Sequence, residues 1–243
     1  MKYFKAIGCI IWLLCWLQPA LAKGHDVTIV VTPAFNGEPL ILDSGRYVTP
    51  HGDKISISLF KCYITKIALF GAEGVTGSFS SSDRLVDAGD PSTDTIILHN
   101  VPDDNYHTLA FVLGVDSIEN TNGANDGDLD PAKGMYWAWN SGYIMAKIEG
   151  NSAVCPTLHH AFEFHIGGYQ SPYDAAQLIN IKLPVPVKPT SNIIINITAD
   201  VAAWFTDNLD LAKTNSIVTP GKEASDMADR YRNMFGVVHL IQQ

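Results

Sequence analysis

The sequence predicts an all-β fold, a sandwich or barrel of short antiparallel strands with one long functional loop and a short C-terminal helix. Three observations predict it. Segments of alternating apolar residues recur along the chain, with turn residues between them. Residues 116–130 form a polar insert rich in Asn, Asp and Gly that runs into an aromatic cluster, Tyr136, Trp137, Trp139 and Tyr143. Helical spacing is confined to the end of the chain, at Ala224, Met227, Ala228, Tyr231 and Met234.

Residues 1–22 read as a signal peptide. Lys2 and Lys5 give the positive start, residues 7–17 the apolar stretch, and Ala20, Leu21 and Ala22 the small-x-small cleavage site. The apolar stretch is too short for a spanning helix, and no other run is longer, so no integral membrane span is expected. A lipoprotein anchored through Cys15 is less favoured, because Leu14 rather than a small residue precedes the thiol. Cleavage after Ala22 leaves a secreted or periplasmic chain, 23–243, that suits one β domain with no linker to divide it. The net charge of −9 argues against nucleic acid and against anionic membrane surfaces. Cys62 and Cys155 remain. Either they pair as a disulfide in that oxidising compartment or both are buried thiols.

Strand patterns follow in order. Residues 26–32 alternate, with Val27, Ile29 and Val31 on one face, and Asn36-Gly37-Glu38-Pro39 reads as a turn. Residues 54–70 place Ile55, Ile57 and Leu59 on one face, then Ile64, Ile67 and Leu69; the phase change at residues 60–63 predicts a bulge or two strands. Residues 71–82 are rich in Gly and Ser and are expected to be an exposed loop. Further strands are expected over 84–87, 95–99, 106–115, 143–149, 161–166, 178–183 and 192–198. Pro184, Pro186 and Pro189 mark an edge or a connection, since proline cannot donate to a ladder. A helix is expected over 221–235, ended by Gly236, with 237–240 a short extended tail.

The chain shows no G-x-S-x-G, phosphate loop or dinucleotide fingerprint, so a hydrolase or nucleotide enzyme is not supported. Asp116, Asn120, Asp128 and Asp130 are candidate calcium ligands in a loop that otherwise reads as a set of turns. No two histidines stand at metal-ligand spacing, so any imidazole site must be assembled from distant strands. Over 161–166, Phe162, Phe164 and Ile166 share one face, and Glu163 and His165 the other. Trp137 and Trp139 share a face if extended. They form either a core or interface plug or an oxidisable indole pair beside a metal. Met135 and Met234 add soft donors, and imidazole with thioether favours copper over calcium or magnesium.

Taken together, several of these stretches resemble the MbnP-like copper-binding proteins. They are Gly114-Val115-Asp116-Ser117, Leu129-Asp130-Pro131, the W-x-W run Gly134-Met135-Tyr136-Trp137-Ala138-Trp139 with Ser141-Gly142-Tyr143, Glu149-Gly150, and Phe164-His165-Ile166-Gly167-Gly168. Residues 59–67 resemble that family's second-strand motif, and Met234-Phe235 with His239 its C-terminal motif. The resemblance covers nearly the whole mature chain. It implies an immunoglobulin-like antiparallel β-sandwich that is secreted or periplasmic, binds one copper ion and is not an enzyme. It also implies a partner, a MauG-like di-haem cytochrome c peroxidase, which in some members converts a Trp of the W-x-W motif to kynurenine. Carried over, the oxidised residue would be Trp139 or Trp137 and a copper ligand His165, with His25 and His239 the next candidates. His239 is followed by Leu240, not by a second histidine. The rival reading is a calcium-stabilised adhesin or glycan-binding β-sandwich that uses Trp137, Trp139, Tyr143 and Tyr169 as a stacking platform.

Overall fold

The computed structural model describes residues 24–71, 74–78, 83–139, 142–206 and 208–242. The signal peptide 1–22 with Cys15, and Ser141 of the aromatic motif, lie outside the described residues. The first strands are β1 (His25–Phe35), β2 (Glu38–Pro39), β3 (Tyr47–Val48), β4 (Lys54–Gly71), β5 (Gly74–Ser78), β6 (Arg84–Asp87), β7 (Thr95–Val101) and β8 (Tyr106–Leu113). A short helix α1 (Ser117–Thr121) follows, then β9 (Tyr136–Trp137), β10 (Gly142–Ser152), β11 (Ala161–Gly167), β12 (Gln177–Val187) and β13 (Ile193–Asp200). The chain closes with β14 (Ser216–Ile217), α2 (Lys222–Tyr231) and β15 (Phe235–Gln242).

These strands form two mixed sheets. The first runs β15-β13-β1-β2, with β7 also on β1; the second runs β12-β8-β4-β10-β11-β14, with β3, β5 and β6 on β4 and β9 on β10. Their apolar faces share one core, in which Phe111 of β8 meets Phe235 of β15 edge-on at 4.9 Å. The expected all-β sandwich is present, with most pairings antiparallel. Parallel pairings join β1 to β13 and β11 to β14.

Local chemistry accounts for the strand ends. Asn36 and Gly37 both take positive φ, 52° and 81°, as a tight hairpin requires, and their N–H groups donate to the Asp200 carboxylate at 2.9 and 2.8 Å. β12 runs through Pro184 and Pro186 on the sheet edge, where the missing N–H groups cost no ladder bond, and its register against β8 slips between Lys182 and Val187.

Several expectations are corrected. Residues 54–71 are one strand, and the phase changes lie on either side of the expected place: between Ile57 and Leu59 against β10, and between Thr65 and Ala68 against β8. At the second, Lys66 adopts φ 52° and its ammonium reaches Asp116 at 2.9 Å. Within 71–82, β5 pairs back on β4, so part of that stretch is a strand rather than loop. The C-terminal helix stops at Tyr231, once its buried face of Ala224, Met227, Ala228 and Tyr231 is spent. Gly236 lies inside β15 opposite Thr198, and the expected tail is a full strand of the first sheet.

Candidate metal centre

The site forms on the face of the second sheet that turns away from the core. Ladder register aligns Asp87 of β6, Lys61 of β4, Lys147 of β10 and His165 of β11 in one cross-strand row. Alternation puts Phe162, Phe164 and Ile166 in the core and leaves Glu163 and His165 opposite them, as the sequence predicts. Glu149 stands one step along β10 from Lys147 on the same face. Its Oε1 accepts from His165 Nε2 at 2.8 Å and lies 3.2 Å from Lys147 Nζ.

The long polar insert covers this row. It is built from α1 and two short 3-10 turns, Gly127–Leu129 and Pro131–Lys133, rather than from unstructured chain. Lys61 and Lys147 donate to the carbonyls of Lys133 and Gly134 at 3.3 and 3.4 Å, which fastens the insert over the row. On its inner side the fully buried Tyr143 hydroxyl donates to Leu129 O at 3.0 Å and accepts from Asn125 N at 2.9 Å. Asn120, also buried, donates to Val115 O and Asp116 O and accepts from Tyr143 N.

Next along the chain, β9 pairs with Gly142 and Tyr143 and lays the Trp137 indole on the same face. A Cβ at Gly167 would stand 2.8 Å from Trp137 Cζ3, so a residue without a side chain is required there. Gly167 is two residues from His165 on β11, so the indole and the imidazole occupy successive positions of one face. Trp137 is 6% exposed, whereas Trp139 is 64% exposed and its ring lies 5.8 Å from that of Trp137. A pocket of about 230 Å³ opens beside the indole, lined by Trp137, Tyr169, Tyr173 and Pro220 among others.

Burial lowers the pKa of His165, and the Lys147 charge lowers it further, against the opposing hydrogen bond to Glu149. Burial pushes the Glu149 carboxyl up, but the His165 hydrogen bond and the Lys147 ammonium outweigh it, so its net pKa is lowered. The pair is therefore a neutral imidazole donating through Nε2 to a carboxylate. That leaves the Nδ1 lone pair as the donor nitrogen, an arrangement that orients imidazoles toward metals.

Other site expectations are not assembled here. His25 and His239 lie in the first sheet. His25 pairs with Val101, and the exposed His239 pairs with Asn196, two strands and five residues from His25, a separation of about 19 Å from strand geometry. Among the described residues no three His, Cys, Asp or Glu side chains gather as a metal would need. Met135 is fully buried and Met234 nearly so, both as core side chains. The four proposed calcium ligands serve the backbone instead. Asp116 caps α1, Asp130 caps the turn after it, Asp128 accepts from Leu85 N, and Asn120 bridges the insert to β10. The four rings of the stacking platform do not share one exposed face, since Tyr143 is fully buried and Trp137 nearly so. Cys62 and Cys155 are free buried thiols, not a disulfide. Ser152, three residues before Cys155, pairs with Ile55, seven residues from Cys62 along β4, which is about 23 Å of strand and far beyond disulfide reach. Glu149 was legible only as part of a stretch that resembles the family, and Lys147 not at all; that both meet His165 is a property of the sheet register.

A family model described as MbnP matches residues 24–220 of the chain. Among solved structures, MbnP from Methylosinus trichosporium superposes with a TM-score of 0.52, at 14% identity over 77% of this chain and 79% of that one. At that identity the likeness is one of fold. No curated protein matches the chain.

Proposed function

The chain belongs to the MbnP family, and from that premise we propose that it is a periplasmic copper-binding protein, one copper per chain, that acts in copper handling rather than in catalysis. The single observation that carries this reading is the Glu149–His165 pair, with its free Nδ1, one side-chain position from the Trp137 indole. Imidazole suits copper, and the carboxylate behind it fixes the tautomer that exposes a donor nitrogen.

One imidazole does not make a copper site, and indole nitrogen is a poor donor because its lone pair belongs to the ring. We propose that Trp137 supplies the second donor after oxidation to kynurenine. The indole C2–C3 bond breaks, each carbon gains an oxygen supplied by hydrogen peroxide, and hydrolysis releases C2 as formate. The aniline amine and ketone left behind can bind metal. The proposed agent is a MauG-like di-haem peroxidase. Trp139, exposed and in ring contact with Trp137, is the side chain such a partner would reach first. No described helix is long and apolar enough to cross a membrane.

The test is intact mass, native and denatured, of the mature chain co-produced with a di-haem partner and exposed to copper. One copper and a kynurenine mapped to Trp137 are expected. His165→Ala should remove the copper, and Glu149→Gln should weaken it by about 10–100-fold. An unmodified chain that takes up no copper would refute the reading and leave the fold assignment intact.

A further inference from the structure

A second concavity lies at the Lys54 end of β4, away from the row at Lys61. It is a cleft of about 590 Å³, and its floor is the three-strand ladder of β3, β4 and β10, with Tyr47, Val48 and Ala153 giving apolar surface. Its volume is that of an ordinary small-molecule site. The charged and ionisable groups that line it are Arg46, Lys54, His159 and His160, and no carboxylate is among its described lining residues. In a chain of net charge −9, a cleft lined by two cationic side chains and no described carboxylate goes against the overall composition.

The rim is also held in place. Arg46 Nη1 donates to the carbonyls of Asp43 and Gly45 at 3.1 and 2.9 Å, which leaves the rest of its guanidinium fork available. His159 and His160 both adopt left-handed backbone, at φ 58° and 57°. Two such non-glycine residues in succession are strained, and strain of this kind persists where neighbours over-determine it. Here Asn151 Nδ2 donates to His159 O at 2.9 Å, and His160 Nδ1 donates to Cys155 O at 3.0 Å.

We infer that this cleft binds a small organic anion, one with a carboxylate or sulfonate group and an apolar body. The acid group would meet the Arg46 fork and Lys54, while the apolar body lies over Tyr47, Val48 and Ala153. This site is separate from the His165 row and needs no metal, so its failure would leave the copper reading untouched.

The test uses the mature chain without copper and two fluorescent probes of similar ring shape, 1-anilinonaphthalene-8-sulfonate and the neutral N-phenyl-1-naphthylamine. Saturable binding of the sulfonate at one site is expected, with the neutral probe weaker by roughly tenfold. Arg46→Gln should weaken the sulfonate by roughly tenfold and leave the neutral probe unchanged. Because Arg46 also ties its own loop, Lys54→Gln is the second variant, and a melting curve checks that each remains folded. Equal affinity for both probes, sulfonate binding unaffected in folded Lys54→Gln and Arg46→Gln, or no saturable binding would each overturn the inference.

Discussion

Asn120 ties the polar insert to the sheet beneath it, and replacing it with alanine tests whether that tie positions the aromatic pair. Its amide donates to Val115 O at 2.8 Å and Asp116 O at 2.9 Å, and its carbonyl accepts from Tyr143 N at 2.8 Å. In Asn120→Ala, Asp116 O keeps the backbone bond from residue 120, at 3.0 Å in the parent chain. Val115 O loses its side-chain donor, and the Tyr143 N–H is left bare in the interior. Each stranded group costs about 1–3 kcal/mol, so the pair costs about 2–6 kcal/mol. Water entering the space left by the amide will recover part of this, and a loss of about 3 kcal/mol is expected. For a domain of this size that corresponds to a fall in Tm of about 6–12 °C. Urea denaturation with an unchanged slope is the assay. Asn120→Asp should be at least as damaging, since it keeps the acceptor but aims an anion at two carbonyls. A loss below about 1 kcal/mol in Asn120→Ala would refute the argument that this side chain anchors the insert.

The remaining predictions concern protonation, exposure and thiols. His165 and Glu149 both have lowered pKa values in the folded chain, against ordinary values of 6.5 and 4.5. The unfolded chain therefore takes up these protons at higher pH than the folded one does. The contribution of this pair to stability should fall as pH drops below about 6.5, and again below about 4.5, against the opposing contribution of Asp94, whose carboxyl burial raises to about 6; the difference between parent and His165→Gln in chemical denaturation across pH isolates the first loss. Trp139 is 64% exposed whereas Trp137 and Trp204 are buried, so acrylamide should quench only part of the mature protein's tryptophan emission and Trp139→Phe should remove that part. Burial raises the thiol pKa of Cys62 and also of Cys155, where Asp53 adds to the effect. Ellman's reagent should find both thiols unreactive in the native chain and both reactive in denaturant without any reductant, whereas a requirement for reductant would reinstate the disulfide.

Much of the fold was legible in the sequence because alternation is a local property. Val27, Ile29 and Val31 point inward wherever β1 happens to sit, and Phe162, Phe164 and Ile166 fix the inner face of β11 and so put His165 on the other. Proline likewise placed β12 at an edge, since a residue without an N–H tolerates few other positions. The W-x-W run and the H-I-G-G run could each be singled out as motifs, and the structure supplies the reason they occur together: Gly167 leaves the space that the Trp137 ring fills.

The partners of each strand were not legible, because period-two patterning says which way a side chain points and nothing about what lies across the ladder. Only the register brings Glu149 and Lys147 to His165, and only the sheet order sends His25 and His239 to a different sheet. Gly236 reads as a helix stop in sequence, yet the helix ends five residues earlier and Gly236 pairs within β15, because the pull of β13 on that segment is non-local. The sequence by itself determined the β class, the two faces of each strand and the aromatic motif. The tertiary structure alone decided which polar groups meet, since that depends on contacts between residues far apart in the chain, whose pairing no local pattern encodes.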